Sequence, residues 1–540
     1  ADEFRFYGNT SLSADFYSMN ESGPGNVRAR RPATLMRLVV NTGMNYGKFS
    51  MPFTMVLSSN QTNFTTPQAP DQSIWQYFQN PMNRITLSPK YDWAQLHLGQ
   101  YIPDYSDLST GNTPVFGAGM DLRPGNFQVA AFYGNSQRAI EPDSTSGLPG
   151  AFAQRFFATR LAYIGDDGGN VGLNFVRVFD DTNSVDSYPI NRFPSSGLLT
   201  SLNFEIPVAE LLKFYGEGGI CYFTRNLFSD DIESDELEFI PDFLNPKYSS
   251  RIDYAAKGGL LIKQDIWEID LSAMYIGDGY EPLGYRFMQS DRIEYTVAPK
   301  VRLFDNKLML RGSIGQRFNN ISETKSESST QLIGSVGAYA RITDQLSLAA
   351  DFSNYGVRNN IDIDTLRIEM VSRAFSITPG YTIRSDYMTH QINATYSHDD
   401  FTDFNTVTGR FRSNVTQSLM ASYAVRFNEF PLSANISANH VENDLDVGAL
   451  ELNALNLGGS YSFMDNKLQP SLRFSLSQNS IGNNTSDIKF GVRAGIRYEI
   501  IDDLMLRLSA NINSYDYGSI RNNMAYTETF IQTTLSYRFF

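Results

Sequence analysis

The sequence predicts an all-β protein: a single large antiparallel transmembrane β-barrel of about 26 strands, with short periplasmic turns and long extracellular loops. Three observations predict this fold. Apolar and polar side chains alternate with a two-residue period along the 540 residues, connections alternate between tight turns and long polar loops, and aromatic residues reach 13%. Aromatic side chains collect at both interfaces of a membrane, so this content is expected of a barrel.

Composition limits the alternatives. No linker and no change in composition divides the chain. Residues 1–540 are therefore predicted to form one barrel domain, with 1–8 as a periplasmic N-terminal segment. Mean hydropathy is -0.30, and no apolar run is long enough for a transmembrane helix. Strands that alternate give only a weak hydropathy signal. Ala1 is interpreted as the processed end of an exported protein.

Charge and cysteine content exclude several functions. A net charge of -14 argues against nucleic-acid binding, which needs basic patches. The lone Cys221 leaves no intramolecular disulfide and no Cys/His cluster at metal spacing. Without C-x-x-C-H this chain is not expected to carry heme, and no cofactor is predicted.

The strands follow from the alternation. In the final stretch, I-Q-T-T-L-S-Y-R-F-F, the residues Ile531, Leu535, Tyr537 and Phe539 share one face and polar residues the other. The same pattern recurs at 295–303, 346–353, 488–498 and 504–512. We expect the final strand to close the ring against a first strand at residues 9–19. A soluble series of β-sandwiches is the alternative, but sandwich strands are usually shorter.

The connections justify the orientation. Tight turns rich in Asp, Asn, Gly and Pro lie at 123–126, 304–308, 342–346, 464–468 and 501–504. Longer polar stretches lie at 59–81, 135–154, 226–249, 276–291, 318–330, 355–366 and 400–410. Short turns on one rim and long loops on the other are typical of bacterial outer-membrane barrels, and an even strand count returns both termini to the periplasm.

The predicted width raises the question of what fills the lumen. A ring of about 26 strands is roughly 50 Å across, which side chains cannot fill. We therefore expect water, inward-folded loops or another protein, and some form of plug. The loops at 59–81 and 226–249 are candidate lids, although both are equally consistent with solvated external loops.

Basic residues dominate the polar face of the predicted strands. They are Arg37, Arg160, Lys257, Lys300, Arg302, Arg311, Arg317, Arg341, Arg373, Arg426, Lys489, Arg493, Arg497, Arg507 and Arg538. Such a basic wall could attract anionic solutes or dock an acidic partner. Alternatively, these charges pair across strands in an ordinary polar lumen.

Other candidate chemistry is weak. The acidic stretch 229–238 is rich in Ca²⁺-type ligands, with lesser versions at 359–364 and 442–446, but its spacing is not that of an EF-hand, and a solvated loop is the alternative. His97, His390, His398 and His440 show no nucleophile motif. His398 with Asp399 and Asp400 is a candidate base or metal cluster, set against an ordinary polar strand end. No catalytic or metal residue is predicted, and the protein is expected not to be an enzyme.

Two resemblances add to this interpretation. The stretches 98–134, beginning L-G-Q-Y-I-P-D-Y-S-D-L, 174–185, N-F-V-R-V-F-D-D-T-N-S-V, and 302–315, R-L-F-D-N-K-L-M-L-R-G-S-I-G, resemble large outer-membrane barrels of Bacteroidota-type bacteria, a family without assigned function. That resemblance implies the compartment and the fold, and no site residues. Tyr537, Phe539 and Phe540 resemble the C-terminal signal by which the barrel-assembly machinery handles such proteins.

The functional hypotheses follow from the wide lumen. The first is an integral outer-membrane channel for protein or large solutes, plugged or gated by a lipoprotein or periplasmic partner. The alternative is a structural sleeve or accessory subunit around a periplasmic or electron-carrying protein; the barrel is similar in architecture to porin-cytochrome conduits. On either hypothesis the protein is expected to contact the bilayer and outer-membrane lipids and not to bind nucleic acid.

Overall fold

A computed structural model describes residues 3–539 except 24–26, 60–82, 112, 144–146, 148, 190–191, 233–243, 286–287, 362, 364–366, 406, 446–447, 483 and 519–523. The described residues form one β-sheet and a four-residue helical turn, Gly409–Arg412. No helix in this part of the chain is both long and apolar enough to cross a bilayer.

The β-segments occupy the following ranges: β1 Arg5–Glu21, β2 Thr34–Tyr46, β3 Phe49–Ser58, β4 Arg84–Leu87, β5 Lys90–Tyr91, β6 Ala94–Tyr101, β7 Val115–Leu122, β8 Phe127–Gln137, β9 Ala153–Ile164, β10 Asn170–Asp181, β11 Ser196–Ala209, β12 Leu212–Thr224, β13 Ser250–Lys263, β14 Trp267–Ile276, β15 Arg292–Leu303, β16 Leu308–Asn319, β17 Ser329–Arg341, β18 Leu346–Asn359, β19 Glu369–Arg384, β20 Met388–Asp403, β21 Asn414–Phe427, β22 Leu432–Leu445, β23 Leu450–Tyr461, β24 Leu468–Ile481, β25 Asn484–Ile501, β26 Leu504–Tyr517 and β27 Ala525–Phe539.

The segments close into a barrel. Each strand pairs antiparallel with its neighbours in the chain, and β1 pairs with β27 from Gly8↔Phe539 to Glu21↔Tyr526. Both β4 and β5 pair with β3 and β6, so they are two pieces of one strand, and 27 segments make 26 barrel strands. The predicted 26-stranded closed barrel is confirmed. Its first strand begins at Arg5, earlier than the expected residue 9.

The tight turns form where the sequence predicts them, between β7 and β8, β15 and β16, β17 and β18, β23 and β24, and β25 and β26. The related sequences F-D-N-K-L and M-D-N-K-L adopt the same turn. Phe304, Asp305 and Asn306 have φ of 54°, 55° and 65°, and the residues 464–466 repeat this with 53°, 53° and 72°. Asp and Asn tolerate this left-handed region better than most residues, which is why they occupy the central positions.

The outer surface of the barrel is apolar. Residues that pair across strands on this face include Val297 with Ile314 and Val336 with Phe352, and these four side chains are 45–62% exposed. A ring of exposed aliphatic and aromatic side chains would be costly in water, whereas a closed barrel in lipid satisfies every backbone group and buries this surface. The alternating face therefore contacts the bilayer.

The buried residues lie inside the barrel on one side. Phe132, Phe156, Val176 and Val178 project from β8, β9 and β10 toward the lumen and are at most 3% exposed. A lumen side chain becomes this buried only if another part of the chain covers it. The covering segments form the candidate functional site.

Candidate functional site: the barrel lumen

Two loops fold into the barrel and cover the inner wall from β8 to β14. The first, residues 102–114, joins β6 to β7, and the second, residues 277–291, joins β14 to β15. Leu108 of the first loop and Tyr280 of the second belong to the same buried cluster as the wall residues Phe132 and Phe156. We call the described residues of these two segments, 102–111 with 113–114 and 277–285 with 288–291, the inward loops. Apolar burial holds them against the wall, because each fully buried large side chain contributes on the order of 2 kcal/mol.

The inward loops also contact each other. The Tyr280 hydroxyl donates a 3.0 Å hydrogen bond to the Leu108 carbonyl. A Cβ on Gly111, which has φ +49°, would lie 2.7 Å from the Tyr285 ring, so this position requires glycine for both its backbone conformation and its close contact. Burial raises the pKa of Tyr105 and of Tyr280, so both hydroxyls stay protonated.

Polar residues on the wall fix the first inward loop. Glu217 on β12 accepts hydrogen bonds from the Ser106 hydroxyl at 2.6 Å and from the Leu108 backbone amide at 3.1 Å. Lys257 on β13 forms an ion pair with Asp107. Glu217 is only 7% exposed, and a buried carboxylate needs such donors to offset its lost hydration.

Arg160 on β9 completes this network. Its Nη1 donates to the Tyr105 carbonyl at 2.7 Å, to Asn174 Oδ1 at 2.9 Å and to Asn203 Oδ1 at 2.8 Å. Asn174 in turn donates to Ser106 Oγ at 3.1 Å. Arg160, predicted as part of a basic wall that meets solutes, is only 9% exposed, and it instead positions the inward loop.

A third segment lies on the lumen side at the extracellular rim. Arg30 stacks over the rings of Tyr515 and Tyr526, and Arg31 lies over Phe530. Tyr17 donates a 2.7 Å hydrogen bond to Glu528 beneath them. Residues 27–33 therefore line the extracellular ends of β26 and β27 rather than extending away from the barrel.

The strand register shows which face of the barrel wall each of the predicted basic residues occupies. Leu12, Leu38 and Leu535 share the outward face, so their alternating neighbours face inward. On this inward parity lie Arg37, Arg160, Lys257, Lys300, Arg302, Arg311, Arg317, Arg341, Arg426, Lys489, Arg493, Arg497, Arg507 and Arg538. Arg373 does not: it lies on the same face as the outward Phe375, 3.9 Å from Asp400. Its prediction as a lumen residue was wrong, because the polar residues at the extracellular end of a strand occupy both faces.

Some of these cations are neutralised by wall carboxylates. Arg317 pairs with Glu294 at 2.8 Å and Arg311 with Asp351 at 3.0 Å. Lys213 pairs with Glu205 at 2.8 Å. The alternative of cross-strand pairing therefore holds for Arg311, Arg317 and Lys213.

Neither of the two loops that the sequence predicts as lids, 59–81 and 226–249, is one of the inward loops. Residues 60–81 of the loop predicted at 59–81 lie outside the described residues. In the loop predicted at 226–249, Leu244 packs against Leu198 and Tyr222, which lie on the outward parity at the rim. The described part of that loop therefore covers the outer rim and not the lumen.

The sequence contains a signal that could have located the covered wall. In β9, Phe156 and Ala158 alternate with Phe157 and Leu161, so the strand is apolar on both faces. A strand that is apolar on both faces is buried on both faces, which predicts a cover inside the barrel at this point.

His97 lies at the edge of the covered inner wall, because Tyr101, on which it stacks, packs against the buried cluster. His97 stacks on Tyr101, with ring centroids 3.9 Å apart, and its Nδ1 lies 3.3 Å from Ser88 Oγ. Within the described residues no group of three His, Cys, Asp or Glu side chains is placed to hold a metal ion. Of the acidic stretch 229–238 the structure describes residues 229–232, in which Asp231 pairs with Lys247; the choice between a Ca²⁺ site and a solvated loop stays open.

The residues of the predicted assembly signal lie at the seam. Tyr537 and Phe539 occupy the outward face of β27, with ring centroids 5.2 Å apart, and Phe539 contacts Phe6 of β1 at 5.4 Å. Phe540 lies outside the described residues. An apolar groove of about 670 Å³, lined by Val425, Ile436, Leu457 and Phe474, lies on the lipid-facing surface. Acyl chains fill such grooves, so we do not assign it a solute.

A closed 26-stranded antiparallel barrel with an apolar outer belt and a polar, partly covered lumen is an integral outer-membrane β-barrel. No protein-family model matches the chain. No curated protein matches it either.

Solved structures similar to this chain are outer-membrane barrels. The FrpB iron transporter from Neisseria meningitidis is 10% identical, with 99% of this chain and 82% of that one covered and a TM-score of 0.41. BauA, the ferric preacinetobactin receptor from Acinetobacter baumannii, is 9% identical, with coverage of 99% and 80% and a TM-score of 0.40. OccK1 (OpdK) from Pseudomonas aeruginosa is 11% identical over 71% of this chain and 98% of its own, with a TM-score of 0.31.

These likenesses are too distant to transfer a substrate or a binding site to this chain. None of them supports the resemblance to Bacteroidota-type barrels, so that family stays a prediction.

Proposed function

We propose that this protein is a wide outer-membrane channel for large solutes or protein segments, narrowed on one side by its own inward loops and completed by a plugging or gating partner. The observation that carries the proposal is the asymmetry of the lumen. The inward loops pack on β8 to β14, while Arg473, Arg493, Arg497 and Arg507 of β24 to β26 remain exposed to the lumen.

The width supports a passage. Strands about 4.8 Å apart and tilted by about 40° place 26 strands on a cylinder roughly 50 Å across. Two loops of 13 and 15 residues against one wall occupy a small part of that cross-section. The inner wall outside the covered region carries Ser, Asn, Gln and charged side chains, which suit a water-filled passage.

The experiment is single-channel recording in planar bilayers on protein purified in mild detergent from native membranes. Mass spectrometry of whatever copurifies is done on the same sample. A channel with a removable plug gives small conductance with the partner bound and a large, stable conductance once salt or detergent strips it. A protein that never conducts, stripped or not, contradicts the proposal.

The free part of the lumen also favours one alternative, a sleeve around a periplasmic or electron-carrying protein. In that case a partner copurifies at a fixed stoichiometry, and its removal destabilises the barrel without producing ion flow. The two readouts, conductance and stoichiometric retention, separate the channel from the sleeve.

A further inference from the structure

Four arginines form a compact group on the inner wall of three adjacent strands. Arg473 lies on β24, Arg493 and Arg497 on β25, and Arg507 on β26. The register puts Arg473 directly opposite Arg493 and Arg497 directly opposite Arg507. All four side chains are exposed to the lumen. We call this group the arginine patch.

The patch has no counterpart carboxylates. Directly opposed like charges destabilise a sheet, and none of the four arginines forms an ion pair with any described residue. Glu499, two residues beyond Arg497, faces Met505 across the strands and makes no ion pair with the patch. Elsewhere in the lumen Arg311, Arg317 and Lys213 each have a carboxylate partner. The patch therefore holds uncompensated positive charge that a bound anion would stabilise.

Small residues surround the arginines and leave them room. Gly491 and Gly495 alternate with Arg493 and Arg497 along β25, and Ser471 and Ser475 face these glycines from β24. A Cβ on Gly491 would lie 2.4 Å from Ser475 Oγ and 2.8 Å from Asn513 Oδ1. The hydroxyl and amide groups next to the glycines are additional hydrogen-bonding groups for a polar solute.

The spacing of the four arginines predicts the length of the anion that they can bind. Two opposed guanidinium groups, on Cα atoms about 5 Å apart, can hold one carboxylate or phosphate between them. Arg493 and Arg497 are four residues apart, which is about 13 Å along a strand. The patch therefore offers two oxyanion clamps separated by the length of a small oligomer, and a single small ion would occupy only one clamp.

The patch also lies opposite the inward loops. Counting β4 and β5 as one strand, β24 is 13 strands from β11 in either direction around the ring of 26. β11 contributes Leu199 to the covered wall. A solute that passes the inward loops is thus confined to the side of the lumen where the arginines project.

We propose that the arginine patch binds elongated solutes with carboxylate or phosphate groups at both ends and selects them for passage. The selection for passage rests on the proposed channel function. The binding of anions rests on the strand register and on the lack of ion-pair partners for these four arginines among the described residues. Arg has the planar fork that carboxylate and phosphate oxygens accept bidentately, so the site favours these anions over halides.

The test compares two double variants that each remove two lumen cations from one strand. Arg493→Gln with Arg497→Gln removes half of the patch, and Lys300→Gln with Arg302→Gln removes two cations from β15. Pentaglutamate, linear pentaphosphate and uncharged pentaglycine are the probes. Fluorescein-labelled pentaglutamate binding to the detergent-solubilised protein, with unlabelled pentaphosphate as competitor, gives affinities that do not depend on ion flow, and block of single-channel current gives the second readout.

The expected result is binding of one or both anionic probes, weakened about tenfold or more in the patch variant, which corresponds to about 1.4 kcal/mol, and less than twofold in the β15 variant. Whichever probe competes better identifies carboxylate or phosphate as the preferred anion. Equal weakening in both variants, or binding of pentaglycine as tight as that of the anions, overturns the proposal. Binding without conductance leaves the patch intact and refutes the channel; conductance without patch-dependent binding does the reverse.

Discussion

Glu217 on β12 and Ser106 in the first inward loop are joined by a 2.6 Å hydrogen bond in which the Ser106 hydroxyl donates to the carboxylate. The second Glu217 oxygen accepts from the Leu108 amide at 3.1 Å. One wall residue therefore holds two successive parts of the loop. Because Glu217 is buried, water could not replace its carboxylate as the acceptor of these two hydrogen bonds if the residue were removed.

Glu217→Ala is expected to release the first inward loop. The change removes two hydrogen bonds to a charged acceptor, at a cost of about 1.5–3 kcal/mol each before relaxation. We expect faster amide hydrogen exchange in residues 102–114 and a larger, noisier single-channel conductance. Glu205→Ala is the control, since Glu205 pairs with Lys213 in the lumen and no hydrogen bond joins its side chain to the described residues of either inward loop. Equal effects of the two substitutions would mean that Glu217 has no special role in holding the loop.

Tyr280 separates the contributions of packing and hydrogen bonding. Tyr280→Phe keeps the ring and loses only the bond to the Leu108 carbonyl, so we expect a cost of about 1 kcal/mol. Tyr280→Ala also removes a fully buried ring, which costs about 3–5 kcal/mol. Protease sensitivity of the inward loops in the folded barrel measures both variants. Similar sensitivity in Phe and Ala variants would show that the hydroxyl, and not the ring, holds the loops together.

Asp291 makes the second inward loop sensitive to acid. Burial raises its pKa, but hydrogen bonds from the Ser322 amide at 3.0 Å and from Lys325 at 2.9 Å more than offset this, so the pKa is lowered. A lowered pKa stabilises the folded loop above the ordinary Asp value of about 3.9, and this stabilisation is lost as pH falls through the native pKa.

We therefore expect hydrogen exchange in the described residues of 277–291 and in 320–328, compared after correction for intrinsic rates, to increase as pH falls from 5 to 3. Asp291→Asn should raise exchange at pH 5 and remove most of this pH dependence. Asp305→Asn, in a turn of the opposite rim, is the control and should leave it unchanged. If Asp291→Asn kept the pH dependence of the unsubstituted protein, the titrating group would be a residue other than Asp291.

The outward and inward faces of β15 differ in their tolerance of charge. Val297 lies on the lipid face opposite Ile314, and its neighbour Thr296 faces the lumen opposite Gly315 and Ser272. Val297→Arg should cost about 2–4 kcal/mol near the middle of the bilayer. Thr296→Arg should cost well under half as much, because its side chain enters water.

Equilibrium unfolding in lipid vesicles measures this difference. A larger cost for Thr296→Arg than for Val297→Arg would invert the assigned faces. Such an outcome would also remove the basis for placing the basic residues in the lumen.

The sequence alone determined the features that depend on local chemistry and on parity. Alternation of the type seen in Ile531, Leu535 and Tyr537 reports which face of a strand meets lipid, whatever its neighbours are. The turns at 304–308 and 464–468 are encoded by residues that tolerate positive φ. Such signals depend on a few adjacent residues, so the strand count and the rim of short turns could be predicted.

Only the tertiary structure decided what occupies the lumen. The contact between Tyr280 and Leu108 joins residues 172 positions apart, and Glu217 holds Ser106 across 111 positions. No periodicity in the chain encodes which loop enters the barrel, because that depends on the shape and polarity of a wall assembled from several strands. The same reason separates Arg160, buried under a loop, from Arg493, exposed in the lumen: both are arginines on inward-facing positions, and only the closed barrel shows which one is covered.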